Sequence, residues 1–532
     1  MSDQSAGSEY DVAIVGCGFG GLYMLHRCRT LGLTARVFEA GSGLGGTWFW
    51  NRYPGARCDI PSVEYSYQFD ADLQQEWQWS EKYATQGEIL KYANHVADRF
   101  SLRDGIQFDT KVLAADYQTE QQSWRVSLST GEEVNAQFVV MATGCLSVPN
   151  FPNIPGLNDF QGGISHTGQW PHEGVDFTGK KVAVIGTGSS AIQSIPLIAE
   201  QAESVTVFQR TPNYSVPAHN APLDDEYVAD IKSRYAEYRE ENWQRGFGAD
   251  FNDNEGSAWD VSDEERTQEY ERRWQVGGLQ FLAAYSDLVF DDAANATARD
   301  FIRDKIAGRV DDENLVDKLL PTTPVGCKRL CVDSHYFETY NQPHVRLVDL
   351  NETPISEVTR SAVVTSDASF EVDYIVLATG FDAMTGAVSN IDVSVDDVKL
   401  ADLWAKGPKA YLGLMAAGFP NMFLVTGPGS PSVLSNMLPS IEQHVEWISD
   451  CMAYVAGSNY GSIEADANAQ EEWVAHVNEV ADTSVYPSCN SWYLGANVEG
   501  KERVFMPYLG VPPYVEKCNE VVARGYEGFV LK

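Results

Sequence analysis

Apolar residues in this chain fall into two spacings. Short unbroken runs, VAIV at 12–15, FVVMA at 138–142, VAVI at 182–185 and YIVLA at 374–378, each lead to a glycine within one or two residues. Such runs, bounded by turn residues, predict buried strands of a parallel sheet. The segments between them carry helical periodicity, and strands alternating with helices predict a doubly wound α/β architecture. Residues 222–318 read differently. They are acidic and aromatic with helical spacing and no strand-like run, and Ser262 followed by Glu265 predicts a capping box opening the helix SDEERTQEYERRW. This block is expected to be a helical insertion whose acids form a solvated face. The ATG strand ends at 142–144 and 378–380 bracket the second α/β unit. They read either as crossings between domains beside a cofactor or as two ordinary buried strands with turns. After 384 the chain is expected to return to the first unit, with 427–448 a loop leading into a helix. The stretch 486–516, rich in Gly, Pro, Tyr and Asn, is expected to be a long loop, the kind that often serves as a lid.

The runs at 12–15 and 182–185 both enter glycine turns. The first places Gly16, Gly18 and Gly21 in GxGxxG spacing: a tight turn, a close approach for a pyrophosphate, and close packing of helix on strand. Glu39 ends the following strand, where a carboxylate accepts the ribose hydroxyls of an adenosine lacking a 2'-phosphate. The second turn carries Gly186, Gly188 and Ala191. Gln209 stands as far behind Gly186 as Glu39 stands behind Gly16, and Arg210 and Thr211 follow it. A carboxylate there would repel a 2'-phosphate, whereas a guanidinium and a hydroxyl bind one. Arg210 also has a plainer reading, a solvated strand-end arginine. The opposed charge logic of the two turns predicts FAD at the first and NADPH at the second.

A chain of 532 residues exceeds what one core serves, so two or three domains are expected. The expected division is 1–145 with 386–532 for FAD, 146–221 with 319–385 for NADPH, and 222–318 for the insertion. The net charge of −37 argues against nucleic acid or an anionic membrane as partner and favours solubility. Nine cysteines at irregular spacing do not resemble a disulfide framework, which points to a reducing cytoplasm. Without CxxC the redox dithiol of a flavin disulfide reductase is missing, and the nine scattered histidines form no HExxH or HxxxH pair, so no metal is expected. The polar N-terminus has no apolar core of an export signal, and no apolar run approaches the ~18 residues that span a bilayer.

Four segments together resemble the type I Baeyer-Villiger monooxygenases over nearly the whole chain. FQGGISHTGQWP at 160–171 matches the family fingerprint at Phe160, Gly162, His166, Trp170 and Pro171. GGTWFWNRYPGARCD at 45–59 matches a second pattern at Gly46, Trp48, Tyr53, Pro54, Gly55 and Asp59. GCKRLC at 326–331 resembles the segment supplying the family's active-site arginine, here Arg329 with Lys328 beside it. NSWYLGAN at 490–497 resembles the mobile loop whose tryptophan, here Trp492, reaches toward the nicotinamide cofactor. The related heteroatom-oxygenating flavin monooxygenases usually lack the final Trp-Pro of the fingerprint.

The resemblance implies a ketone and O2 as substrates, an ester or lactone as product, and a C4a-peroxyflavin as the oxygen donor. It implies cofactor contacts from Gly46, Thr47, Trp48, Asp59 and Tyr65 at the flavin, and from Thr187, Ser189, Ser190, Gln193, Lys328, Arg329 and Trp492 at the nicotinamide cofactor. Arg329 and Asp59 are the expected catalytic pair: a guanidinium stays protonated and holds an anion by directed hydrogen bonds, and a carboxylate fixes its orientation. Asp59 alone reads equally as a turn acid in DIPS. His166 is read as structural, bonding across the domain junction, and Trp170 and Pro171 as packing and chain-direction residues. Trp48, Phe49 and Trp50 are either core or a shield for the flavin. The loop GPGSPSVLSNML, with Ser432, Val433 and Leu434 as candidate substrate-pocket residues, resembles the longer form found in members acting on aryl ketones and steroids, so bulky, aryl or cyclic ketones are expected. A monomer or weak oligomer is expected. A sulfide or amine oxygenase and a non-oxygenating flavoprotein remain as rivals.

Overall fold

The computed structural model describes residues 8–458 and 460–532. The polar residues 1–7, in which no export signal was read, lie outside the described residues. Two sheets organise the fold. The first has nine strands, and its parallel centre is built from Ser8–Val15, Ala35–Phe38, Ile106–Gln107, Glu133–Met141 and Met422–Leu424. An antiparallel extension through Ser123–Leu128 and Val112–Gln118 carries it outward, and Asp392–Val395 joins that edge. Val398–Lys399 pairs antiparallel with Asp392–Val395, so three of the nine strands come from beyond residue 385 and the chain does return to this sheet. The second sheet has five strands, all parallel, in the order Val345–Asp349, Ser204–Gln209, Lys181–Ile185, Tyr374–Leu377, Gly163–His166. All four apolar runs fall in these sheets, with Val12, Ala13 and Ile14 and Ala183 and Val184 fully buried. Burial on both faces is why they read as unbroken runs without alternation.

The helical insertion is present as helices Asp225–Ser233, Tyr235–Trp243, Asp263–Val276, Asp292–Ala307 and Glu313–Leu319, with no strand between 222 and 318. Ser262 caps Asp263–Val276 and closes the capping box with Glu265. The loop expected over 486–516 ends earlier. Helix Val511–Ala523 begins inside it with Pro512 and Pro513 in its first turn, where a missing N–H costs nothing, so residues that looked like loop punctuation open a helix. Thiol pairing also departs from expectation. Cys327 and Cys489 form a disulfide across 162 residues, with their Cα atoms 6.0 Å apart, and the other seven cysteines are free and buried. Irregular spacing carries no signal for one isolated long-range pair. No helix among the described residues is long and apolar enough to cross a membrane.

Helix Met437–Gly457 brings a carboxyl into the core. One Glu442 oxygen accepts from the Gln68 and Phe69 N–H groups at 2.7 and 2.9 Å, and the other has no partner. Burial pushes Glu442 up to about 8, against the pull of those N–H groups and Arg239, with Glu446 adding to the rise. Burial likewise holds Glu64 up at about 7. The unfolded chain ionises such groups near about 4.3. A raised folded-state value gives stability that is fully present below the unfolded value and lost as pH rises through the folded one. The melting temperature is therefore expected to fall between pH 5 and pH 8. Glu442→Gln is expected to recover part of that fall, on the order of 2 kcal/mol at pH 8 and little at pH 5. Parallel melting curves across the range test this, and identical slopes in parent and variant refute it.

Candidate active site

A cavity of about 560 Å³ opens where the strand Ser8–Val15 enters its glycine turn. It is lined by Gly16, Gly18, Glu39, Gly46, Thr47, Trp48 and Tyr65 among the expected residues. Gly16 has φ +96° and Gly46 φ +54°, and a Cβ on Gly46 would come within 2.9 Å of the Gly18 Cα. The turn and the GGTW segment therefore meet backbone to backbone, and Gly45 N–H donates to the Cys17 carbonyl at 2.9 Å. Glu39 is 5% exposed and accepts from the N–H groups of Cys17 and Gly41, both at 2.7 Å. It braces its own turn while facing the cavity. Trp48 Nε1 donates to the Tyr65 hydroxyl at 3.1 Å. Trp48 and Trp50 line the cavity, whereas Phe49 does not.

At the second turn most of the expected side chains are already engaged. Thr187 Oγ1 donates to the Thr211 carbonyl at 2.8 Å, Ser190 Oγ lies 3.1 Å from Thr167 Oγ1, and Ser189 Oγ lies 3.3 Å from Cys331 Sγ. Gln193 accepts from the Tyr53 hydroxyl at 2.8 Å and donates to the Arg57 carbonyl at 3.2 Å. It ties helix Ser189–Ala199 to the YPGAR segment. Arg210 is exposed at the end of Ser204–Gln209, and Gln209 turns away to the Lys318 carbonyl at 2.7 Å. Burial lowers the Lys328 ammonium, and the charge of Arg210 lowers it further. The two cations thus stand near one another, and neither has a salt-bridge partner among the described residues. Two cations without an ion-pair partner beside a glycine turn leave positive charge that an anion would compensate.

Asp59 and Arg329 meet across the fold. Nε of Arg329 donates to Asp59 Oδ2 at 2.9 Å and Nη2 to Oδ1 at 2.8 Å, a bidentate pair, while Nη1 donates to the Val433 carbonyl at 3.0 Å. Burial would lower the guanidinium pKa, but the charge and hydrogen bonds of Asp59 outweigh it and hold Arg329 above its ordinary value. Three of its five N–H donors are thus engaged by Asp59 and Val433. Tyr493 is 2% exposed; burial holds its phenol above the ordinary range, and Arg329 pulls it the other way. Trp492 is half-buried with its ring 4.3 Å from that of Tyr493. The Cys327–Cys489 bond joins the segment carrying Lys328 and Arg329 to the segment carrying Trp492. Of the three loop candidates, Val433 lines the cavity and Leu434 is buried. Ser432 is fully buried, with its hydroxyl on Cys145 and Met384.

Of the fingerprint residues, Phe160 and Gly162 pack within the second unit, and Trp170 reaches the first. Trp170 is 3% exposed and donates its N–H to the Trp50 carbonyl at 3.3 Å, and Phe160 is buried. A Cβ on Gly162 would lie 2.3 Å from the Asp373 carbonyl, so the chain passes too close for a side chain there. Pro171 is partly buried. His166 Nδ1 accepts from Gly168 N–H at 2.9 Å, which puts the ring proton on Nε2, 3.3 Å from Thr379 Oγ1. Burial brings it down to about 4, so the ring is neutral at working pH. None of these side chains contacts Arg329. Missed in the sequence are Thr110, Lys111, Val112 and Ile441, which line the cavity from elements without any motif, Met437, at the end of the GPGSPSVLSNML loop, and Tyr493, whose position beside Trp492 was its one available signal.

A family model described as pyridine nucleotide-disulphide oxidoreductase matches residues 13–267. A Baeyer-Villiger monooxygenase of Pseudooceanicola batsensis is 39% identical over 99% of this chain and 97% of its own length. A solved structure, an oxidized steroid monooxygenase bound to NADP, is 51% identical and covers 98% of this chain and 99% of its own, with a TM-score of 0.94. The chain belongs to the Baeyer-Villiger monooxygenases. A further relative of this monooxygenase, phenazine N-monooxygenase PhzNO1 of Lysobacter antibioticus, is 39% identical over 98% of the chain and 97% of its own length. Every cysteine within 13–267, Cys17, Cys28, Cys58 and Cys145, is free, so that match lies in the dinucleotide fold and not in dithiol chemistry. As an NADPH-dependent flavin monooxygenase, the protein needs room for two dinucleotides. Both turns offer it: a Cβ on Gly18 would meet only Gly46, at 3.6 Å, and one on Gly188 would meet nothing within 4 Å.

Proposed function

We propose that this Baeyer-Villiger monooxygenase inserts one atom of O2 beside the carbonyl of bulky, aryl or cyclic ketones to give esters or lactones, with Arg329 and Asp59 at its catalytic centre. The observation carrying this reading is the bidentate Asp59–Arg329 pair, whose guanidinium also donates to the carbonyl of Val433, a residue of the cavity wall. Bound FAD, reduced by NADPH, supplies the activated oxygen. Arg329 holds the negative charge that develops during oxygen insertion, where a fixed, always-charged donor is worth most. Asp59 orients that donor and balances its charge. Trp492 and Tyr493 cover the site and exclude water.

In this reading the first sheet, with residues 1–145 and 386–532, holds FAD: Gly16, Gly18 and Gly21 form the turn, Glu39 the ribose contact, and Gly46, Thr47, Trp48 and Tyr65 the wall. The second, with 146–221 and 319–385, holds NADPH through the backbone of Gly186 to Ser190 and the cations Arg210 and Lys328, with Thr211 beside them. Gln193 and Trp170 tie one unit to the other and His166 bonds at their junction, while Phe160 and Gly162 pack within the second unit and Pro171 sets the chain direction. Ketones of steroid or aryl size are the preferred substrates, supported by the likeness to the steroid monooxygenase. The protein works in the cytoplasm as a monomer or weak oligomer. A ketone panel scored for ester and for NADPH consumed tests the function, and consumption without ester from any ketone rejects it. The likeness to a phenazine N-monooxygenase favours one second reading, oxidation of ring nitrogens. N-oxide from a phenazine at a higher kcat/KM than ester from any ketone would establish that reading instead.

The cofactor assignment makes its own prediction. Arg210→Ala and Lys328→Ala are each expected to raise KM for NADPH about 10- to 100-fold and leave KM for NADH within about twofold, because only NADPH carries the phosphate they face. Equal losses for the two cofactors remove the assignment.

A further inference from the structure

The segment that carries Trp492 and Tyr493 is fastened at both ends. At its start, Cys489 is bonded to Cys327, two residues from Arg329 in sequence. At its far end, Lys501 reaches back across Gly495, where a Cβ would lie 3.1 Å from the lysine Cδ; Gly495, at φ +69°, ends the short turn Trp492–Leu494. The ammonium forms an ion pair with Asp382 and donates to Thr385 Oγ1 at 2.8 Å and to the Ala383 carbonyl at 3.3 Å. Both partner side chains are drawn in from solvent, with Lys501 19% and Asp382 31% exposed. Asn497 adds two bonds: its Nδ2 donates to the Phe381 carbonyl at 2.7 Å, and its carbonyl accepts from Asn150 Nδ2 at 2.9 Å.

Every one of these acceptors and donors lies on the two chain crossings between the sheets, at Asn150 and at 381–385. The second crossing also carries Thr379, which donates to the Asn150 carbonyl at 2.6 Å and faces His166 Nε2. The Lys501 stem lies over the end of the Trp492–Leu494 turn, so the seat of the ammonium sets where that turn stands. Its three acceptors satisfy the three ammonium donors.

We propose that Lys501, through Asp382 and Thr385, is a positioning residue that holds the Trp492–Tyr493 turn over Arg329 and ties that placement to the crossings between the two nucleotide units. The proposal rests on the monooxygenase reading of the Arg329 site. It predicts that losing the tether lets water reach the site, so that oxidised NADPH yields hydrogen peroxide in place of oxygenated product: NADPH, H+ and O2 give NADP+ and H2O2. Lys501 touches no cofactor or substrate in this account, so the rate at which NADPH reduces the flavin is left within about twofold.

The test uses the full-length FAD-loaded enzyme and the variants Lys501→Ala, Lys501→Arg and Asp382→Asn. The readouts are NADPH consumed and peroxide formed without ketone, flavin reduction rate, and melting temperature. Lys501→Ala and Asp382→Asn are expected to raise the ketone-free peroxide rate about five- to tenfold, and Lys501→Arg, which keeps the charge, to restore at least half of the difference. The double variant Lys501→Ala with Asp382→Asn is expected to match Lys501→Ala alone. Peroxide rates within twofold of the parent in both single variants overturn the proposal, as does a loss in flavin reduction that accounts for the whole effect. If one variant fails to hold FAD, Thr385→Val, which removes only the hydroxyl acceptor, decides by the same measure. Because these readouts need no ketone, they succeed or fail independently of the substrate assignment.

Discussion

Arg329→Ala is expected to bind FAD and accept electrons from NADPH at close to the parent rate, yet form ester at least about 10³-fold more slowly. The size follows from what the side chain does. A guanidinium held bidentate by Asp59 and braced on the Val433 carbonyl keeps its planar cation in a fixed orientation, at no cost of reorganisation when charge develops. Water admitted in its place must reorient for each turnover. Asp59→Ala leaves the cation in the site but frees it to turn, so its loss is expected to be smaller, about 10- to 100-fold. The double variant is expected to be scarcely worse than Arg329→Ala alone, since two groups acting as one unit do not contribute independently. Removing one partner also leaves the other half-buried charge unpaired. Melting temperature and flavin content must therefore be measured beside ester per NADPH. Normal ester yield from Arg329→Ala, with FAD retained, would take this pair out of the mechanism.

How much of this was legible before any fold was known depends on the reach of each rule. The glycine turns were legible because strand, turn and helix follow one another in sequence, and where Glu39 stands behind the first turn, Gln209 with Arg210 next to it stands behind the second. The capping box at Ser262 and Glu265 was legible for the same reason: capping acts within one helical turn. The pairing of Asp59 with Arg329 lay beyond any spacing rule. The residues lie 270 positions apart in sequence, with most of the second unit and the helical insertion between them, and only the resemblance of GGTWFWNRYPGARCD and GCKRLC to family segments put them together. Cys327 with Cys489 had no such help, nor had Lys501 with Asp382, because a single long-range contact leaves no periodic trace. Thr110 to Val112 reach the cavity from the start of a strand and the two residues before it, none of which carries cofactor chemistry of its own. The serines and threonine of the second turn were named from the resemblance alone. Their types suit phosphate binding, but their hydroxyls are bonded to Thr211, Thr167 and Cys331, which leaves the backbone to meet a ligand.

The two turns differ at their third position, and that difference makes the last prediction. Helices Phe19–Thr30 and Ser189–Ala199 start in the same register, so Gly21 and Ala191 are structural counterparts. At Ala191 a methyl is accommodated with no exposure at all. At Gly21 the same methyl would stand 1.9 Å from the Gly16 carbonyl oxygen and 3.0 Å from its carbon, both backbone atoms that no rotamer change can move. Gly21→Ala must therefore push the helix off its strand or deform the Gly16 turn, and either one opens the floor of the cavity. A loss of about 3 kcal/mol or more is expected, with protein purifying largely without FAD. Gly188→Ala is the matched control. Its Cβ would meet nothing in the protein and its φ of −81° suits any residue, so melting temperature and FAD content are expected to stay at the parent values. Its methyl would instead occupy the space where the second dinucleotide's phosphates approach, raising KM for NADPH at least about tenfold. Absorbance of bound flavin per protein, melting temperature and KM for NADPH separate the two. A Gly21→Ala protein that keeps FAD at the parent melting temperature would mean that helix and turn yield freely. A Gly188→Ala protein with unchanged KM would mean that the cofactor passes elsewhere than over the second turn.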